Sequence, residues 1–249
     1  MPIKKNYWQQ DITHREHAWN LAKALGITVV TAWLYYHSLW TAWLLFPLFF
    51  WHYFMMEEEY AKKKELDFQI QFKEAIQAVS SALNTGYSVE NAFREAQKEL
   101  KLIYPETARI SKELTVITRQ LRIQVPMEQI LEEFGLRVQT EDVRNFVTVF
   151  TAAKKSGGNM IAIIQDTVRQ ISGKIDVKRE IDTILAAKRY EFRVMSAIPY
   201  AIIGYMSLSF PQFMDSLYGN IFGIGVMTVC LGIYIGAYYL GIRLIRIEV

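Results

Sequence analysis

Few side chains in this chain are of a type and spacing that could do chemistry. His14 and His17 stand three residues apart, which would put two imidazoles on one helix face as half of a metal site. No thiolate or carboxylate joins them in ligand spacing, so they read as surface histidines. His37 and His52 lie where membrane borders are expected, an ordinary place for an amphipathic ring. Cys230 is the single cysteine and sits inside an apolar run, so no internal disulfide forms and no oxidising compartment is implied. Gly157-Gly158-Asn159 is glycine-rich but lacks the Lys-Ser/Thr pair that a phosphate loop places after its last glycine. Ser172-Gly173-Lys174-Ile175 fails as well, because Ile175 stands where a magnesium-binding hydroxyl is needed. The expectation is a chain with no catalytic residues, no cofactor and no metal.

The elements that must position these residues are set by where charge is missing. Between Ala24 and Met56 there is no Asp, Glu, Lys or Arg, and between Val194 and Ile242 only Asp215. A membrane span needs roughly 20 apolar residues, and each charge at its centre costs on the order of 3 kcal/mol. One helix over 24–56 would run to about 50 Å at about 1.5 Å per residue, well past the roughly 30 Å of hydrocarbon. The block therefore splits near Tyr36-His37-Ser38 into spans over 24–36 and 39–56, with Trp33, Tyr35, Tyr36 and Trp40 suited to an interfacial belt. The second block splits into spans over 194–210 and 221–242, with 211–220 as a turn rich in breakers.

Lysine and arginine fix the expected orientation. They occur before the first span, between the two blocks and after the last span, and never near His37 or Asp215. That is the positive-inside pattern for four spans with both termini in the cytoplasm. The N-terminal segment, 1–23, mixes Lys4, Lys5, Arg15 and Lys23 with Asp11 and Glu16 and shows no cleavage site, so it is not expected to be a removed signal. Its Trp8, Ile12 and Trp19 either rest at the lipid surface or belong to a short solvated helix. The net charge of +3 gives no argument for nucleic-acid binding.

Residues 57–193 are charged, nearly balanced in sign and helical in rhythm. Phe68, Phe72, Ile76, Val79 and Leu83 recur at three- and four-residue steps along one face. Gly86 ends that helix, and Ser88 with Asn91 starts the next. Pro105 suits the first turn of a third helix reaching about Ile123. Pro126 opens a fourth, with Met127, Ile130, Leu131 and Phe134 inward, and Thr140 caps a fifth. Lys154-Lys155 followed by Gly157-Gly158 marks its end, and a sixth begins near Asn159 and runs into the third span, either straight or with an interruption at Gly173. The fold class is all-α: about four transmembrane helices and a cytoplasmic antiparallel six-helix bundle, organised as 1–23, 24–56, 57–193, 194–242 and 243–249. The spans offer Thr28, Thr31, Thr41, Ser196, Ser207, Ser209 and Thr228 but no ionisable pathway, and Gly223, Gly225, Gly232, Gly236 and Gly241 give the last span small surfaces for helix packing.

Three strings in this frame, SSALNTGYSVENAFREA at 80–96, AAKKSGGNM followed by IIQDT over 152–167, and AAKRYEFRVMSAIP at 186–199, resemble the F-domain of type II secretion and type IV pilus inner-membrane platform proteins. The tight-adherence (Tad) branch, with one F-domain between paired spans, is the nearest in arrangement, and the resemblance runs from about Phe68 onward. It implies a non-catalytic platform in the bacterial or archaeal cytoplasmic membrane. Such proteins contact a hexameric secretion ATPase, pass pilin subunits into a filament, and associate with themselves or a paralogous platform protein. No second F-domain copy is found.

Read physically, Gly86 permits a left-handed turn, and Glu90 places an anion at a helix N-terminus. Gly157, Gly158 and Asn159 fold the chain back so that Lys154 and Lys155 face the cytoplasm; for these glycines turn geometry alone is the simpler reading. Glu180, Asp182, Lys188, Arg189, Glu191 and Arg193 would dock a partner, transmit motion or anchor at headgroups, and Pro199 would kink the third span. Two other functions compete: a small transporter with a regulatory cytoplasmic domain, decided by liposome flux, and a membrane-tethered signalling adaptor, decided by whether loss of the protein leaves surface filaments normal.

Overall fold

The structure is a computed structural model and describes residues 14–37, 45–156, 160–218 and 220–245. Among them are nine helices and no strand: α1 (His14–Tyr36), α2 (Phe46–Asn84), α3 (Val89–Ile103), α4 (Arg109–Arg122), α5 (Met127–Val138), α6 (Glu141–Ser156), α7 (Met160–Ser209), α8 (Pro211–Tyr218) and α9 (Ile221–Ile245). The chain divides into two compact units. One contains residues 61–179; the other joins the described residues of 14–60 to those of 180–245. Both boundaries fall inside helices, α2 and α7.

In the first unit six helical segments surround one apolar core. Phe68, Phe72, Ile76, Val79 and Leu83 are all buried, as their spacing predicts, together with Phe134, Phe146 and Phe150. The Phe72 ring lies edge-on to Phe146 and tilted against Phe134, with centroids 5.9 and 6.1 Å away. Burying such rings contributes on the order of 2–3 kcal/mol each, which offsets the cost of ordering short helices that would be marginal alone.

The breaks largely follow local chemistry. Gly86 takes φ +93°, open to glycine and strained for other residues, and Ser88 accepts from the Asn91 N–H to cap α3. Pro126 stands at the N-cap of α5. Pro105 differs from expectation. It lies ahead of α4, where its carbonyl accepts from the Ala108 N–H in a turn, and α4 starts only at Arg109. Ala108 offers no capping side chain, and Gln71 of α2 accepts from the Ile110 N–H instead. Thr140 caps α6 with its backbone carbonyl, which accepts from the Arg144 N–H, while its hydroxyl oxygen is buried without a partner. Gly173 does not interrupt α7, which runs as one helix through Pro199 as well.

The second unit has a small core, Ala32, Leu34, Tyr35, Leu45, Met227 and Leu231, inside a largely apolar exterior. Ile221, Phe222, Val229, Ile233, Leu240 and Leu244 of α9 are all exposed. Mean hydropathy reaches 1.9 in α9, yet only 17% of that stretch is buried, so α9 does not have the surroundings of a soluble core helix. Among the described residues α9 alone is long and apolar enough to cross a membrane, and α7 with α8 passes the same test as a bent pair. The first helix starts ten residues before the expected span, at His14 rather than 24. Residues 38–44, where the outer turn and the start of the second span were expected, lie outside the described residues.

The segment 211–220, expected as a turn, is mostly helix. Pro211 is the first residue of α8, where its fixed φ suits a helix and its missing N–H removes no bond. The bend between α7 and α8 is 111°.

Candidate functional site

The residues singled out in the sequence fall into two groups, one in each unit. In the first, Gly86 and Glu90 flank the α2–α3 turn, and Lys154 and Lys155 occupy the last turn of α6. Connectivity places these at one end of the bundle, since the end of α2 meets the start of α7 through a Gln165 to Asn84 bond of 3.1 Å. Lys154 pairs with Glu128 at the start of α5 at 2.9 Å and holds that carboxyl below its ordinary pKa. Lys155 and Ile123 are exposed at the same end. Gly157, Gly158 and Asn159 lie outside the described residues.

In the second unit Glu180, Arg189, Glu191 and Pro199 follow one another along α7. Arg189 donates to Asp182 at 2.7 Å and Lys188 to Glu191 at 2.9 Å, so Arg189 and Glu191 each have an intrahelical partner. Arg193 comes within 4.0 Å of Glu59 on α2. The arrangement is a charged stretch of helix leading into an apolar one, with no convergent cluster.

Four features had no expectation in the sequence. On the first unit, α2 and α7 leave an open cleft of about 540 Å³ lined by Gln77, Ser80, Ser81, Asn84, Gln165 and Arg169 among others. Its floor is crossed by Gln77 donating to Ser172 at 3.1 Å, and one side carries the Lys73–Asp176 pair at 2.6 Å. Within the bundle, the Glu113 carboxylate is buried between Arg109 at 3.2 Å and Arg137 at 3.0 Å. Nearby, Tyr104 donates to Glu74 at 2.8 Å; its pKa rises to about 12, first through burial and then through that bond.

In the second unit tyrosine supplies the polarity that a survey of serine and threonine overlooked. Tyr200 of α7 meets the Thr31 hydroxyl of α1 at 3.1 Å, and Tyr234 of α9 donates to the Ser196 carbonyl at 3.0 Å. Tyr35, Tyr200, Tyr234 and Tyr238 form a contiguous aromatic series, ending on Phe192 and His52. Tyr36 pairs with Thr228 at 3.0 Å, and His37 with Ser207 at 3.1 Å. These hydroxyls bond to one another and to carbonyls, so the seam joins α1, α7 and α9. Of the glycines in α9, Gly223 sits against the Leu217 backbone and Gly241 against the Phe192 ring, while Gly225, Gly232 and Gly236 face open space.

No group of three or more His, Cys, Asp or Glu able to hold a metal occurs among the described residues. A helical bundle whose entering and leaving helices continue into apolar segments defines the class: an all-α chain with one or two candidate membrane spans. The family description "Type II secretion system (T2SS), protein F" matches residues 75–208, more than half of the chain, and the chain belongs to that family, whose members are generally non-catalytic platform proteins of the inner membrane. The match begins inside α2 and ends inside α7, so α8 and α9 lie beyond it. No curated protein and no solved structure matches the chain.

Proposed function

We propose that this protein is a non-catalytic platform in the cytoplasmic membrane of a Tad-like type IV pilus or type II secretion machine, coupling a hexameric secretion ATPase to pilin extraction and filament assembly. The observation that carries this reading is the extent of the family match. One unbroken stretch, 75–208, takes in the end of α2, all of α3 to α6 and nearly all of α7, including its apolar part with Pro199. In this reading four spans hold both termini in the cytoplasm, and the bundle meets the ATPase through the end bearing Gly86, Glu90, Lys154 and Lys155. Glu180, Arg189 and Glu191 lie on the helix that carries movement toward the lipid. Association with a second copy or a paralogous platform protein supplies the symmetry that a single F-domain lacks.

The purified protein is expected to hydrolyse no ATP while binding its cognate ATPase and raising its turnover. Cross-linking in native membranes is expected to capture the ATPase and a pilin. Membranes that yield neither partner would remove this function and leave the fold untouched. The transporter reading gains nothing from the tyrosine seam, where the Tyr200 and Tyr234 hydroxyls are engaged between helices.

A further inference from the structure

Helix α8 sorts its side chains into three sectors. At about 100° per residue, Met214, Leu217 and Tyr218 fall on one side, and Gln212, Asp215 and Ser216 on the opposite side. Phe213 sits on the edge between them. The structure fills the first side: Met214 is buried, Leu217 and Tyr218 pack on the small core of the second unit, and the Tyr218 hydroxyl donates to the Leu34 carbonyl at 2.6 Å. The Tyr218 ring also lies 4.6 Å from the His37 ring. Gln212, Asp215 and Ser216 are exposed, and Phe213 is 59% exposed.

Two further observations fix the attitude of this helix. It turns 111° from α7, so it runs across the end of that helix instead of continuing it. Its C-terminal turn is pressed onto α9 at Gly223, where a Cβ would collide with the Leu217 carbonyl; only glycine allows that approach. Phe210, Ile221 and Phe222, exposed beside the two ends of α8, carry no charge, and Asp215 is its one ionisable side chain apart from Tyr218.

We infer that α8 lies in the plane of the outer lipid interface, as an anchor that sets how deep the α7–α9 hairpin sits. Its polar sector faces water, its apolar sector caps the helix ends, and Phe213 rests among lipid at the headgroup boundary, where aromatic rings are favoured. This inference rests on the spanning reading of α7 and α9. Lipid is the occupant that matches a helix with polar and apolar sides opposed and a single ring at their border.

Site-directed spin labelling of the full chain in phosphatidylethanolamine–phosphatidylglycerol liposomes tests it. The native Cys230, exposed in α9, reports the span itself. Phe213→Cys and Asp215→Cys, each with Cys230→Ser, report the edge and the polar sector. Collision with oxygen relative to a water-soluble nickel complex is expected to be highest at 230, intermediate at 213 and lowest at 215. The inference is overturned if 213 matches 230, which means a re-entrant helix, or matches 215, which means a helix standing off the membrane. It is equally overturned if 213 is shielded from both reagents, which means that protein covers it. An aqueous signal at 230 would defeat the spanning reading, and this inference with it.

Discussion

The two units bury side chains by opposite rules. In the bundle, six phenylalanines, Phe68, Phe72, Phe93, Phe134, Phe146 and Phe150, are inside, and charge lies mostly on the surface. In the other unit the large apolar side chains of α9 face outward, while hydroxyls from Thr31, Tyr200 and Tyr234 meet between helices. The first has the burial pattern of a water-soluble bundle. The second has the inside-out polarity of helices whose surroundings give apolar packing no advantage, so that hydrogen bonds and close packing join them. On the proposed reading one chain meets two solvents, and its mutations are expected to be read differently on the two sides of residues 60 and 180.

The largest expected loss is in the bundle. Phe146→Ala removes a fully buried ring in contact with Phe72 and Phe150, and thermal unfolding of the detergent-solubilised chain is expected to show a loss of about 3–5 kcal/mol. A loss below about 1 kcal/mol would mean that this core is not close-packed. Next comes Glu113→Ala, which leaves Arg109 and Arg137 around an empty position. Because both arginines keep some water contact, the expected cost is about 2 kcal/mol, and a neutral result would remove the buried ion group from the account.

The second unit is expected to respond with smaller effects, one of them favourable. Asn20 is buried with both amide atoms unpartnered, so Asn20→Leu is predicted to stabilise by about 1 kcal/mol; destabilisation would show that the amide has a partner in the membrane. Tyr234→Phe deletes one interhelical bond and is expected to cost only about 0.6 kcal/mol. A cost as large as that of Phe146→Ala would erase the contrast between the units.

The smallest effect is a pH dependence. Glu128 has its folded pKa lowered, chiefly by the Lys154 hydrogen bond. Its contribution is therefore present above the ordinary carboxylate value of 4.5 and is lost as pH falls through the lower folded value. Both partners are over a third exposed, so screening leaves about 0.3 kcal/mol. Comparing acid unfolding of the wild type with Lys154→Ala measures it, and identical curves would contradict the pairing.

How much of this was legible depended on whether a signal was local. The inward face of α2, the Gly86 and Ser88 break and the Pro126 start each reside in a few neighbouring residues, and these are found; of the two apolar blocks, α9 and the α7–α8 pair are long and apolar enough to cross a membrane among the described residues. The start of α4 was misplaced because Gln71, from another helix, supplies the cap that Ala108 lacks. The 211–220 segment reads as a turn from its Pro, Gly and Asn, yet proline at a first helical position is favourable and α8 starts there. The Glu113 cluster and the Thr31–Tyr200 contact join residues 24 and 169 positions apart, and no periodicity announces such pairs. Tyrosine was counted with the apolar residues, which concealed the seam. The residues proposed for partner contact divide between the units, since adjacency in a long helix carries no information about convergence.

The central claim is that lipid covers the second unit and keeps the bundle on the cytoplasmic side. Single cysteines at Lys155 and at Asp215, in a Cys230→Ser chain, can be exposed to a membrane-impermeant maleimide in intact and lysed spheroplasts. The account predicts that 215 reacts in both and 155 only after lysis. Labelling of 155 in intact spheroplasts would contradict it.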